Sequence, residues 1–428
     1  MALAPRWLGW CSALVFAAAC ASPPTSTLAV DAADATQTAA DLGGAAADVA
    51  TDNAVPRQDS EPDAGADTAA GDGGAADAPD TALAPTPTTV WVHYPKPITL
   101  TLRGNLAPLT WQTDALPKSV TGEMALFELP TSGGPWQVKP QLTGQWSIGP
   151  NYVAQPQHVR HLYPYFNPQV AAPRRDDFTM TGPDGQPRKV RVRLPAGYDE
   201  NTAATYPLLV MLDGQNVFDA ATATFGVAWE LDDAVDLAMQ QAKLTEVVVA
   251  AVDHAGPQRI YEYTPWADAD GQGGGGPNFF AWANSKLLPA LHSKYRLQPG
   301  PTAHTIGGSS LGGLMSLFAV GAYPDNWRNA IAMSGSWWWA DLKMQSWIQT
   351  APGTAQLPKV WLDAGDTNDG LADTQALQKV LVTKGWTLGQ TLGYYEAKGA
   401  NHSEKFWAAR VHLPLQFFFD PGDRVPAF

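Results

Sequence analysis

The stretch Ile306-Gly307-Gly308-Ser309-Ser310-Leu311-Gly312-Gly313-Leu314-Met315 decides how this chain is read. It contains G-x-S-x-G with Ser310 at the centre; a strand-like run, 302–306, enters it and a helix-like run, 311–320, leaves it. A serine on so tight a strand-to-helix turn needs small neighbours. Gly308 and Gly312 supply them, and the hydroxyl then stands clear of the sheet as a candidate nucleophile.

Outward from this turn, strands and helices alternate from about residue 174. The run 190–194 alternates as an edge strand should, whereas 207–212 and 246–252 are continuous apolar runs of the kind found in buried central strands. Apolar residues at 231, 234, 235, 238 and 239 mark a helical face within 229–242, and a second helix is expected over 279–291. Further strands are expected at 330–333, 360–362 and 391–395, with helices at about 373–383 and 403–419. Repeated β-then-α predicts an α/β domain, a mostly parallel sheet covered on both faces.

Ligands collect beyond the carboxyl ends of such strands. Ser310 lies at one such end and Asp213-Gly214-Gln215-Asn216 at another. Asp363, Asp366 and Asp369 follow 360–362 as one loop, and Asn401-His402 follow 391–395. The chain order Ser, Asp, His is that of α/β-hydrolases. A serine hydroxyl needs a base to take its proton, and His402 is placed to be that base. A carboxylate of the aspartate loop would fix its tautomer. The backbone N–H groups of Leu311 and Gln215 are the expected oxyanion donors. Asp213 and Asn216 read as residues that fix their turn. His254 also lies at a strand end and could line the pocket. His158 and His161 lack an acidic or cysteine partner, so no metal site is expected there.

The N-terminal part has another character. Residues 1–20 read as an export signal: Arg6 is basic, 8–19 is apolar and too short to span a bilayer, and small residues precede Cys20. Phe16-Ala17-Ala18-Ala19-Cys20 resembles a bacterial lipobox, with Ala17 where leucine is more usual. Cys11 and Cys20 are the only cysteines, so the rest of the chain has no disulfide to form. Residues 21–89 hold twelve acidic residues against one arginine, and most of the formal charge of −14 sits there. So little apolar surface cannot offset the entropy of ordering, and the segment reads as a disordered, acidic tether. The remainder is close to neutral, which excludes an electrostatic nucleic-acid binder. Residues 90–172 show short strand-like runs broken by Pro, Gly and Asn, the pattern of a small all-β sandwich. Its aromatic residues, among them Trp111, Trp136, Trp146, Tyr152 and Tyr165, read as core, with stacking on sugar rings as the rival role.

The run Tyr206-Pro207-Leu208-Leu209-Val210-Met211-Leu212-Asp213-Gly214-Gln215-Asn216-Val217-Phe218-Asp219 resembles a segment of the putative esterase family, which includes enterochelin esterases, esterase D and feruloyl esterases. Arg259-Ile260-Tyr261-Glu262-Tyr263-Thr264-Pro265, Gly308-Ser309-Ser310-Leu311-Gly312-Gly313-Leu314, Met333-Ser334-Gly335-Ser336-Trp337-Trp338-Trp339 and Asn401-His402-Ser403-Glu404 resemble it too. The resemblance covers roughly 175–420. It implies an α/β-hydrolase fold over 173–428, a Ser310/Asp/His402 triad and no metal or cofactor. The family's acid follows a G-T-x-D-like turn. Here Gly365-Asp366-Thr367-Asn368-Asp369 carries one extra residue, so Asp369 matches best with Asp366 as the alternative. Leu212 stands where the family has histidine. Residues 90–172 resemble the starch-binding-like or immunoglobulin-like domain that precedes some of these enzymes.

The expected function is a serine carboxylesterase working through an acyl-enzyme on a small or polysaccharide-linked ester. It is expected to be exported and held at an outer membrane or cell surface through lipid on Cys20, or otherwise periplasmic or secreted. An acyltransferase to a sugar acceptor and a carbohydrate-binding protein with an inactive hydrolase scaffold are the alternatives. Arg259, Trp337 and Trp338 are candidate substrate contacts, and Arg259 could instead pair with Glu262.

Overall fold

Short strands punctuated by Pro, Gly and Asn make up the first part of the molecule. The computed structural model describes residues 87–421, so the expected signal, Cys20 and the tether up to residue 86 lie outside the described residues. The strands are β1 (Thr88–His93), β2 (Leu100–Gly104), β3 (Ser119–Thr121), β4 (Met124–Leu129), β5 (Trp136–Leu142), β6 (Gln145–Trp146), β7 (Tyr152–Ala154) and β8 (Val159–Leu162). They form two sheets, β3-β4-β1-β8 and β2-β5-β6 with β7 on β5. Alternate side chains face inward: Val90, Val92, Leu100, Leu102, Phe127, Trp136 and Val138 share one core. The first strand starts at Thr88, inside the span expected to be tether. Trp136 is core, whereas Trp146 is 39% exposed.

His93 Nε2 lies 2.8 Å from His161 Nδ1 across the parallel pair β1 and β8. Burial, together with the His161 charge, pushes His93 down from 6.5 to about 4, and burial lowers His161 too. The unfolded chain therefore takes up protons that the folded sandwich refuses. Its contribution to stability is whole above pH 6.5 and is lost as pH falls towards 4. We expect the Tm to drop over that interval and the drop to shrink in His93→Gln. An equal drop in the variant would place the acid sensitivity elsewhere.

The second part is one nine-stranded sheet. Its strands are β9 (Arg174–Arg175), β10 (Phe178–Thr181), β11 (Pro187–Leu194), β12 (Leu208–Leu212), β13 (Val248–Val252), β14 (His304–Ser309), β15 (Asn329–Met333), β16 (Lys359–Gly365) and β17 (Leu392–Ala397). The order is β10-β11-β13-β12-β14-β15-β16-β17, with β9 on β11. The six strands from β12 to β17 are mutually parallel where they pair. This is the α/β-hydrolase fold. Strand β12 is buried on both faces: Leu208, Val210 and Leu212 join the core beneath the helices Leu311–Ala322 and Leu371–Lys384. Leu209 and Met211 join the core beneath the helices Leu231–Gln240 and His412–Phe419.

Three expectations are corrected. Strand β11 is not an edge; it lies between β10 and β13. Its alternation reads as half-exposed because of its arginines, but each is buried against an acid: Arg188 on Glu262, Arg191 on Asp253 and Arg193 on Asp236. The second helix runs as Gly276–Trp282, a π turn Ala283–Leu287 and Leu288–Lys294. The last helix breaks into Glu404–Arg410 and His412–Phe419.

The chain leaves β12 for β13 on one side and returns to β14 on the other. The carboxyl ends of β12 and β14 thus flank the topological switch point, the place where open α/β sheets bind their ligands.

Candidate active site

The elbow is strained as its sequence requires. Ser310 has φ 56° and ψ −123°, between β14 and the helix Leu311–Ala322. A Cβ on Gly308 would meet the Gly312 backbone at 3.0 Å, so glycine is needed where strand and helix cross. The neighbouring strand end holds both sides of the turn: Ser310 N–H donates to Met333 O at 3.1 Å and Ser336 N–H to Ser310 O at 3.0 Å. Asp213, Ser334 and Asn368 also take positive φ, of 57°, 44° and 51°. Four non-glycine residues in this costly region therefore gather at the carboxyl ends of β12, β14, β15 and β16, where strain accompanies function.

Of the three aspartates, Asp369 meets the histidine. Its Oδ1 lies 2.6 Å from His402 Nδ1. A carboxylate there accepts a hydrogen bond from Nδ1–H, which leaves Nε2 as the basic nitrogen. Asp366 instead faces the surface, accepting from Thr367 Oγ1 and Gly399 N–H. Asp363 belongs to β16 and not to the loop after it. The Asp369 side chain is 0% exposed. Its Oδ2 accepts from Ser334 Oγ at 2.6 Å, from Gly365 N–H at 2.5 Å and from Arg410 at 3.5 Å. Arg410 also donates to Asp363 Oδ1 at 2.9 Å and to Ser334 Oγ at 2.7 Å. Burial pushes the Asp363 carboxyl up, against the pull of Arg410 and Trp361. The imidazole packs edge-on to Trp407, ring centroids 5.0 Å apart. Ser310 Oγ bonds Ser336 Oγ at 3.1 Å, and among the described residues no hydrogen bond joins it to His402.

Gln215 lies in the turn Gly214–Asn216, whose first bond is Asn216 N–H to Asp213 O at 2.9 Å. Leu311 opens the helix after Ser310. Among the described residues no backbone acceptor outside a helix or strand engages either amide. Asn216 Oδ1 accepts from Thr224 N–H at 2.8 Å and ties down the loop that follows. Asp213 pairs bidentately with Arg259, at 2.7 and 2.8 Å. Burial works against the Arg259 cation, but Asp213 overrides it and holds its pKa above the ordinary value. Arg259 and Glu262 do not pair with each other, since Glu262 is spent on Arg188. Burial lowers His254, whose Nδ1 accepts from Gly256 N–H and whose own amide donates to the Gln215 side chain.

Trp337 is not a substrate contact. It is 0% exposed and donates to Thr374 Oγ1 at 3.1 Å, so packing of the sheet absorbs it. Trp338 is 57% exposed two residues past Ser336. Among the described residues no group of three or more His, Cys, Asp or Glu could hold a metal ion.

The sequence matches the family described as "Putative esterase" over residues 184–412. The chain belongs to this family. It is thus a carboxylic ester hydrolase by family. "Uncharacterized protein YbbA" of Bacillus subtilis (strain 168) is 25% identical to it over 248 residues, 54% of this chain and 92% of that protein. Similar solved structures include a siderophore hydrolase, EstB, from Aspergillus nidulans, 18% identical, covering 60% of this chain and 98% of that one with a TM-score of 0.46. The BES protein from Bacillus cereus is 19% identical, covering 57% and 94% with a TM-score of 0.47.

In this esterase, Ser334, Ser336 and Arg410 are the polar residues of the site that sequence reasoning passed over. Arg410 left a signal. It lies three residues after Trp407 and one before Val411, on the apolar side of a short helix, and a cation there needs a buried anion. Ser334 and Ser336 flank Gly335 directly after β15, and nothing in their local pattern marks them.

The Asp213–Arg259 pair sets the loop that carries Gln215. Asp213→Ala would remove the pair and place alanine in a left-handed conformation that aspartate tolerates better. We expect kcat to fall about a hundredfold through misplacement of the loop, with a smaller loss in Asp213→Asn. Steady-state kinetics check this, and an unchanged kcat in Asp213→Ala would remove the loop from catalysis.

Proposed function

We propose that the protein is a serine carboxylesterase with Ser310 as nucleophile, His402 as general base and acid, and Asp369 as the orienting carboxylate. The observation that carries this reading is the 2.6 Å bond from His402 Nδ1 to a fully buried Asp369, next to a serine on a strained elbow. Substrate entry exchanges the Ser336 partner of Ser310 Oγ for His402 Nε2; catalytic hydrogen bonds of this kind tighten only when substrate is bound. Ser310 Oγ then attacks the ester carbonyl and its proton passes to Nε2. The amides of Leu311 and Gln215 receive the oxyanion. The intermediate collapses, the alcohol leaves with the proton from His402, and water activated by the same nitrogen releases the acid. Arg410 offsets one of the two buried carboxylates, and the other faces the imidazolium as it forms.

The enzyme is exported and anchored by lipid on Cys20, with the acidic segment as a spacer. The short apolar run and the small residues before Cys20 support this. A fluorophosphonate probe should label Ser310, and p-nitrophenyl acetate should be hydrolysed with a burst. Absence of labelling in folded protein would end the serine reading. Palmitate incorporation that persisted in Cys20→Ser would end the anchoring reading.

A further inference from the structure

The β sandwich packs over the amino ends of the hydrolase strands, and two adjoining chambers of about 450 and 400 Å³ remain at that junction. Tyr152, Arg160 and Glu246 border both. Pro207, Thr245 and Asn329, at or just before the starts of β12, β13 and β15, border the second. Ser310 lies past the opposite ends of the strands, about 20 Å away for a run of this length. The chambers therefore do not belong to the ester-cleaving centre.

The polar groups there are incompletely satisfied. Arg160 donates through one Nη to Pro421 O, but its buried Nε–H has no acceptor. No side chain bonds Glu246 among the described residues, and burial pushes its carboxyl up. Arg160 and Glu246 both line the two chambers, so the two share one space. Asp236 is spent on Arg193. A ligand that completes the site must present an acceptor and a donor side by side. A carboxylate offers only acceptors and would face Glu246 and Asp236. An ammonium offers only donors and would face Arg160. Adjacent hydroxyls supply both without net charge. The phenol rings of Tyr152 and Tyr165 add flat faces, and each chamber has the size of a small-molecule site.

We infer that this junction is a second binding site, for a neutral oligosaccharide segment of roughly two or three rings. The site holds a sugar chain across both domains while the ester centre at the other end of the sheet stays open. It stands independently of the serine assignment.

Calorimetry with maltotriose, cellotriose and xylotriose tests this on the full chain, both untreated and after treatment with a fluorophosphonate to cap Ser310. At least one trisaccharide should bind the untreated and the treated protein alike. Glu246→Ala, which removes the acceptor, and Ala196→Trp, which fills the first chamber, should each weaken binding about tenfold or more. Hydrolysis of p-nitrophenyl acetate by the uncapped variants should stay within about twofold of the parent, which separates this outcome from failure of the esterase reading and shows that the variants fold. No binding by any of the three sugars, equal binding by both variants, or binding that capping abolishes would overturn the inference.

Discussion

Ser310→Gly should abolish ester hydrolysis and raise the Tm at the same time. In the proposed mechanism the Ser310 hydroxyl is the nucleophile. Loss of the nucleophile of a triad costs on the order of a million-fold in kcat, down to the floor left by the oxyanion donors. The same residue stores strain, since φ 56° with ψ −123° is open to glycine and costly for serine. Relief of that strain is about 1–3 kcal/mol, and the extra freedom of glycine in the unfolded chain takes back about 0.5–1 kcal/mol. The remainder corresponds to a gain of about 2–4 °C per kcal/mol in a domain of this size. Thermal melts and p-nitrophenyl acetate kinetics on one preparation check both halves. A lower Tm would show that the elbow is unstrained, and retained hydrolysis would move the nucleophile elsewhere.

Arg410→Met is expected to give the largest loss of stability. Arg410 is 4% exposed and is the cation bonded to the buried carboxylates of Asp363 and Asp369. Removing one partner of such a cluster leaves uncompensated buried charge and costs about 3–5 kcal/mol, a fall in Tm of roughly 10 °C. Asp363→Asn in the same chain should return much of that loss. The amide keeps an acceptor for Trp361 Nε1, now 2.7 Å from Asp363 Oδ2, and removes one of the two charges. The pH dependence has a definite sign. Burial already pushes Asp363 up, and loss of Arg410 pushes it further. The defect should therefore be largest above the folded-state pKa of Asp363 and ease as pH falls through it. Urea melts of the single and double variants decide the matter. A single variant within about 1 kcal/mol of the parent, or a double variant no better than the single, would contradict the cluster account.

The elbow, the buried strands and the helices between them were legible because each is encoded within a few residues. Gly308 and Gly312 bracket Ser310, and 207–212 has no polar position to expose. The arginines of strand β11 resemble a solvent face in sequence, because their partners Glu262, Asp253 and Asp236 lie 43 to 74 residues away. Trp337 and Trp338 are neighbours in sequence, yet one is wholly buried and the other exposed. Local pattern cannot separate two adjacent residues of one kind.

The sequence by itself determined that a serine would stand on a sharp turn at the carboxyl end of a parallel strand, with acid and imidazole following in order. Steric exclusion around Cβ acts over two or three residues, and the glycines declare it. Only the tertiary structure decided which aspartate meets His402. Asp369 and Asp366 are three residues apart in one turn, and their difference lies in what surrounds them. One carboxylate points inward to Ser334, Arg410 and the imidazole, brought together by β15, β17 and the last helices. The other points to water. That contact depends on which strands are neighbours and on a cation forty-one residues away, whereas the loop's resemblance to the family turn only favours Asp369 over Asp366.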